Sequence, residues 1–182
     1  MAEVTEPYAD VKCDGLLVQV DRSWHFASLR SFPPHRPFAE AMLAWSGTAL
    51  PGSQKAVAPQ WPAVLSTFIL AWRSPSEVWA LSMDAPSFDS LIARVGDITH
   101  GCCVDQTGGF WVLKAGGARI ADMLARVGSV ASMPAPGEAH VTRIAEVPVM
   151  TLSVNPGEVL LIVERVYAEH VLGWIRATAA DF

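Results

Sequence analysis

The sequence predicts an α+β fold, a mainly antiparallel sheet with helices packed on it, built from two similar β-α-β-β-α units. Three observations indicate this class. The chain repeats itself with a period of about 81 residues, strand pairs are interspersed with single amphipathic helices, and its 182 residues can bury a sizeable core. We therefore expect a single domain over residues 1–182, with a first repeat at about 16–96 and a second at about 100–180.

The repeat is visible as identical residues in two stretches of the chain. A shift of 81 positions places Met42, Leu43, Ala44 and Gly47 on Met123, Leu124, Ala125 and Gly128, and Pro75, Glu77 and Val78 on Pro156, Glu158 and Val159. The period exceeds the roughly 20–50 residues of solenoid repeats. We interpret it as two copies of one supersecondary unit.

The first repeat opens with two strands and a helix. Apolar runs predict strands at 16–20 and 24–30, joined near residues 21–22. Pro33 and Pro34 end the second strand, because proline cannot donate to a ladder. A helix follows, since Phe38, Met42 and Trp45 recur at helical spacing and Gly47 can end it.

The rest of the first repeat is a strand pair and a second helix. The strands are predicted at 67–73 and 77–83, with a short turn at Pro75. Asp84 can cap the next helix, and Pro86 fits its first turn. The apolar face of this helix is Phe88, Leu91, Ile92 and Val95.

The second repeat follows the same order. Strands are predicted at 102–105, 110–115, 139–146, 149–154 and 159–163, and the last, a continuous apolar run, suits a strand buried on both faces. A helix from about residue 118 has Ile120, Met123, Leu124 and Val127 on one face. The final helix, about 166–178, places Tyr167, Val171, Trp174 and Thr178 along one stripe.

Composition limits the classes of function. The net charge of -5 and only 13 scattered basic residues argue against nucleic-acid binding. No run of apolar residues is long enough for a transmembrane helix, and the acidic N-terminus lacks a signal pattern, so we expect no membrane association and a cytoplasmic location. A hydrophobic content of 51%, 17% charged residues and seven tryptophans indicate an unusually large core or a surface covered by a partner protein.

No recognisable catalytic, cofactor or metal motif is present, so we expect none of these sites in this chain. His100-Gly101-Cys102-Cys103 is the densest group of potential metal ligands, but zinc sites space their cysteines and add a second pair. We interpret the two cysteines as small buried side chains entering a strand. Gly116-Gly117 could receive an anion at a helix N-terminus, but turn glycines are the better interpretation. The five histidines are dispersed.

The tryptophans divide into core and surface candidates. Trp45, Trp111 and Trp174 lie at positions that the pattern places in or beside the core. Trp61 lies in a proline-rich segment, where a large ring has no evident intramolecular role. We therefore predict that Trp61 contacts a partner.

Three stretches resemble the γ subunit of heterotetrameric sarcosine oxidase. Residues 137–145 contain the Thr-Arg-hydrophobic-Ala strand of that family, and residues 159–175 contain its apolar strand ending on Arg165, its aromatic-Ala-acidic step and its Trp-bearing helix. Residues 69–81 resemble its strand–Pro–acidic–Trp–strand signature, although Val78 separates Glu77 from Trp79. The resemblance extends over nearly the whole chain. This family is in turn similar to the folate-binding aminomethyltransferase of the glycine cleavage system.

The resemblance implies a non-catalytic subunit that packs against the folate-binding part of a large α subunit. In such complexes FAD, FMN, NAD and tetrahydrofolate are held by other chains, amine oxidation belongs to the β subunit, and the δ subunit binds zinc. The γ subunits of related N-methylglutamate-type dehydrogenases are comparable, so the resemblance leaves open which N-methyl amine the complex oxidises.

Two other functions stay open. One is a free-standing folate-binding or aminomethyltransferase-like protein, for which Asp97, Asp105 and Glu146 are the acids near the second repeat. The other is a homo-oligomeric scaffold whose apolar surface covers itself.

Overall fold

The structure, a computed structural model, describes residues 9–57 and 68–182. In chain order its elements are β1 Val11–Cys13, β2 Leu16–Asp21, β3 His25–Ser31, α1 Arg36–Ser46, β4 Ala56–Val57, β5 Phe68–Ser74, β6 Glu77–Ser82, α2 Ala85–Gly96, β7 Gly101–Asp105, β8 Phe110–Gly116, α3 Ile120–Val127, β9 Glu138–Ile144, β10 Val147–Ser153, β11 Glu158–Glu164 and α4 Ala168–Ala179. Short 3-10 turns at Val130–Ser132 and Arg165–Tyr167 precede β9 and α4.

The chain divides into two compact units. Unit 1 comprises the chain up to Arg22, Phe110–Pro136 and His140–Phe182, and unit 2 comprises Ser23–Gly109 with Gly137–Ala139. In the described residues, each unit has an antiparallel sheet and two α-helices, so the α+β prediction is confirmed. That residues 1–182 form one domain stays a prediction.

Unit 1 is built on the sheet β1-β2-β8-β11-β10-β9. One face of this sheet packs on α3 and α4, because alternate residues of β2, β8 and β11 and the apolar stripes of both helices are buried in one cluster. The cluster centres on Leu113, Leu124, Leu161, Leu172 and Ile175. Five consecutive residues of β11 are buried, which confirms the strand predicted to be buried on both faces.

Unit 2 is built on the sheet β4-β5-β6-β3-β7. Leu29, Phe38, Leu70 and Leu91 lie in its core. The helix signals act as predicted: Asp84 accepts a hydrogen bond from the Ser87 backbone N–H at 3.0 Å at the start of α2. At the end of α1, Gly47 adopts a left-handed φ of 67°.

The duplication survives in the fold, with an exchange of strands. Glu77 and Glu158, 81 positions apart, begin the equivalent strands β6 and β11. The strands β2 and β3, adjacent in the chain, do not pair: β2 pairs with β8, and β3 pairs with β7. The sheet of unit 1 therefore includes β2, from the start of the first repeat, and the sheet of unit 2 includes β7, from the start of the second repeat. Two short strands, β1 and β4, were not predicted.

The face assigned to α4 from sequence is wrong in part. Val171 and Thr178 are buried as expected, but Tyr167 is 39% exposed and Trp174 is 53% exposed. The helix instead buries a stripe of Ala168, Val171, Leu172, Ile175 and Ala179. At 100° per residue, Trp174 lies a quarter turn from Ile175 and so leaves this stripe. Trp111 is buried, as predicted, and Trp45 is half-buried against the core of unit 2.

Candidate functional site

Cys102 and Cys103 lie in the strand β7, as predicted, but they are half-buried and not buried. Cys102 and Cys103 are consecutive strand residues, so their side chains point to opposite faces, and both are free and half-buried. Burial, with smaller effects of Asp105 and Cys102, raises the pKa of the Cys103 thiol to about 11. Across residues 9–57 and 68–182, no group of His, Cys, Asp and Glu side chains converges as a metal site would require.

Gly117 has a structural role. Its φ is +112°, and a Cβ there would collide with the carbonyl oxygen of Gly15. That same oxygen accepts a hydrogen bond from the Arg119 backbone N–H at 2.9 Å, just before α3 begins. The chain itself thus binds the backbone N–H just before α3, and this supports the turn interpretation of this glycine.

The face of the unit 1 sheet that points away from α3 and α4 contains, on its β1–β2 side, a cleft that sequence reasoning missed. Its volume is about 420 Å³. Side chains from four strands line it, among them Lys12, Leu17, Gln19, Lys114 and Glu158, with Gly116 in its floor. We call this surface the β2–β8 cleft.

The strand register explains why these residues meet. Lys12, Leu17, Gly116 and Glu158 are successive cross-strand partners on β1, β2, β8 and β11. Cross-strand partners project to the same face of a sheet. Lys114 lies two residues before Gly116 and therefore shares that face. A row of this kind joins residues far apart in the sequence.

The charges of the cleft are partly paired. The ammonium of Lys114 lies 2.7 Å from Oε2 of Glu158, and these side chains are 46% and 30% exposed. Lys12 forms no ion pair with any residue in the described parts of the chain. The cleft thus has two ammonium groups and one carboxylate around an apolar floor.

The equivalent acid in unit 2, Glu77, has a different role. Its Oε1 accepts hydrogen bonds from the Ser28 hydroxyl at 2.5 Å and the Trp79 indole N–H at 3.2 Å. The guanidinium of Arg30 lies 3.7 Å from the same oxygen. Because Ser28 is fully buried, Glu77 satisfies an interior hydroxyl that would otherwise cost free energy. This network is structural.

The acids considered for folate binding each have a local structural setting. In unit 2, Asp97 caps the end of α2, and Asp105 accepts a hydrogen bond from the Thr107 backbone N–H at 2.8 Å. Glu146 belongs to unit 1, where its side chain is 95% exposed in the turn between β9 and β10. Each therefore has a local setting typical of a cap, a turn or a solvated side chain.

The predicted partner contact, Trp61, lies outside the described residues. Its assignment stays a prediction. None of the helices in the described stretches combines the length and apolarity needed to cross a bilayer.

Comparison with solved structures supports the same fold. The chain is similar to a chain of the heterotetrameric sarcosine oxidase from Corynebacterium sp. U-96 in complex with pyrrole 2-carboxylate, with a TM-score of 0.78 and 19% identity over 96% of this chain and 89% of that chain. It is also similar to glycine cleavage system aminomethyltransferase T from Bartonella henselae, with a TM-score of 0.66 and 9% identity. That likeness covers 88% of this chain but 45% of the transferase chain, so this chain spans less than half of that protein.

No known protein family and no curated protein matches the sequence. At these identities the structural likenesses establish the fold alone. The chain therefore has the α+β fold seen in a sarcosine oxidase chain and in part of an aminomethyltransferase.

Proposed function

We propose that this chain is a non-catalytic subunit of a heterotetrameric oxidase that acts on an N-methyl amine. The observation that carries the proposal is the extent of the likeness to the sarcosine oxidase chain, 96% of one chain and 89% of the other. Two chains that correspond over nearly their whole length can occupy the same place in an assembly. The aminomethyltransferase likeness, in contrast, covers less than half of that chain.

The surface supports a partner-bound role. Large apolar side chains are exposed in both units, and they include Phe32, Leu43, Met83, Val130 and Val166. Exposed aromatic and aliphatic side chains are typical of surfaces that a second chain covers. Low charge, 17% of residues against about 25% in a typical domain, supports the same interpretation.

The finer assignment follows the resemblance described from sequence. We assign this chain to the γ position, with α, β and δ subunits as its partners and the folate-binding part of α as the surface it packs against. FAD, FMN, NAD and tetrahydrofolate would then be held by the other chains, in the cytoplasm. No step of the oxidation is assigned to residues of this chain. Trp61 is our proposed contact with the α subunit.

Affinity capture from the native cells tests this assignment. The tagged full chain should recover three further chains in equal amounts by mass spectrometry, one of them a large flavoprotein. A Trp61→Ala variant should recover at least about tenfold less of the large chain, since a buried interface tryptophan is worth about 2 kcal/mol or more. Trp174→Ala, which removes a tryptophan that is 53% exposed in unit 1, is the matched control for the loss of an indole ring. Recovery of this chain alone would contradict the proposal.

A free-standing folate-binding protein is the second candidate, and the likeness to the aminomethyltransferase favours it. Titration of the purified chain with tetrahydrofolate, followed by tryptophan fluorescence, tests it. Saturation at micromolar concentrations would favour this candidate. The subunit proposal predicts no saturation in that range, because it places folate on another chain.

A further inference from the structure

The β2–β8 cleft is a candidate ligand site that the proposed subunit role does not use. It lies wholly within unit 1 and combines an apolar floor with a few convergent charged groups, the usual composition of small-molecule sites. Lysine is rare in this chain: there are three lysines, and Lys12 and Lys114 both line this cleft.

Gly116 gives independent support for an open site. It lies in β8 without a left-handed φ, and an added Cβ would meet only the Gly157 carbonyl oxygen at 3.6 Å, an ordinary contact. Neither backbone conformation nor packing therefore requires glycine here, although glycine weakens a strand. A larger side chain at this position would project into the cleft, because Gly116 is in its floor. The absence of a side chain keeps the cleft open.

The arrangement of charges selects the ligand class. A simple anion beside Lys12 would also approach the carboxylate of Glu158, which Lys114 pairs at 2.7 Å, and a simple cation beside Glu158 would displace Lys114 and approach the ammonium of Lys12. A ligand that has both charges satisfies all three groups. Leu17, 37% exposed beside Gly116, offers apolar contact for a ligand side chain.

We propose that the β2–β8 cleft binds an apolar α-amino acid in its zwitterionic form. The ligand carboxylate lies between the ammonium groups of Lys12 and Lys114, its ammonium donates to Glu158, and its side chain packs on Leu17 and Gly116. This inference does not depend on the subunit role, because the site belongs to this chain alone.

The ligand class is tested by isothermal titration calorimetry, which measures the affinities of L-leucine and three matched compounds. The titration uses the full chain, either free or in its assembly. These are 4-methylpentanoate, which lacks the ammonium, 3-methylbutylamine, which lacks the carboxylate, and glycine, which lacks the side chain. L-Leucine should bind at least about tenfold more tightly than each of them, because each lacks one of the proposed contacts. Equal binding of 4-methylpentanoate, or no binding of L-leucine, would overturn the proposal.

Two further readouts locate the site. Saturating L-leucine should slow acetylation of Lys12 and Lys114 several-fold by site-resolved mass spectrometry, while Lys55, paired with Glu138 at 3.2 Å in unit 2, is the internal reference. Gly116→Val should abolish binding without lowering the thermal unfolding midpoint. Equal slowing at all three lysines, or unchanged binding by a folded Gly116→Val variant, would contradict the assignment. The protection experiment uses the unmodified chain and so holds even where the variant fails to fold.

Discussion

A buried hydroxyl in β10 gives a sharp prediction about stability. Thr151 is 0% exposed, and its Oγ1 has no hydrogen-bonding partner among the described protein residues. Burial of a hydroxyl without a partner costs about 1–3 kcal/mol. Valine replaces the hydroxyl with a methyl group and keeps the β-branched shape that suits a strand. We therefore expect Thr151→Val to raise the free energy of unfolding.

The expected gain is about 1–2 kcal/mol, the lower part of that range, because the methyl group differs slightly in size from the hydroxyl. For a chain of this length, such a gain raises the unfolding midpoint by about 2–8 °C. Urea denaturation followed by circular dichroism measures the free energy, and differential scanning calorimetry measures the midpoint.

Ser153, on the same strand, is the matched control. It is also buried, but its hydroxyl donates to the Asn155 carbonyl oxygen at 2.9 Å. Ser153→Ala should therefore lower the free energy of unfolding by about 1 kcal/mol. A Thr151→Val variant that is destabilised like Ser153→Ala would refute the reasoning, since it would mean that the threonine hydroxyl is satisfied.

Three other features give predictions of their own. Gly101→Ala should lower the free energy of unfolding, measured by urea denaturation, by about 1–3 kcal/mol, because the new Cβ would overlap the buried ring of Phe38. Gly96→Ala, which places its Cβ in open space, should leave the free energy of unfolding unchanged. Trp174→Ala should lower the free energy of unfolding by less than about 1.5 kcal/mol, whereas removal of a fully buried tryptophan costs about 3–5 kcal/mol. A larger decrease in urea denaturation would mean that the Trp174 ring packs in the core. The rate at which iodoacetamide alkylates Cys103, followed by site-resolved mass spectrometry, should rise with pH until the pH approaches the raised pKa of this thiol, about 11, because the thiolate is the reactive form. A rate that reaches its plateau near pH 9 would contradict the raised pKa.

Local signals in the sequence predicted most of the elements. Asp84, Pro86 and Gly47 act through contacts within a few residues, so their helix boundaries could be read directly. The exchange of β2 and β7 between the sheets could not, because strand pairing depends on contacts between distant parts of the chain. The sequence pattern also misplaced Trp174, because its spacing from Val171 and Thr178 fits a helical face. The stripe that is buried instead begins and ends at the smaller residues Ala168 and Ala179.

The β2–β8 cleft was harder to predict than the fold. Lys12, Lys114 and Glu158 are separated by long stretches of sequence and meet through cross-strand register alone. Two signals were nevertheless present. Lysine is rare in this chain, and Gly116 ends the strand β8 in front of a second glycine that has a clear structural role.

The visible absorption spectrum of the assembly captured through this chain distinguishes a subunit of a flavin-containing oxidase from a free-standing protein. The subunit role predicts a yellow preparation with flavin absorption bands, in which a large flavoprotein is present in equal amount with this chain. A colourless preparation that contains this chain alone would contradict the subunit role and favour a self-associating or free folate-binding protein.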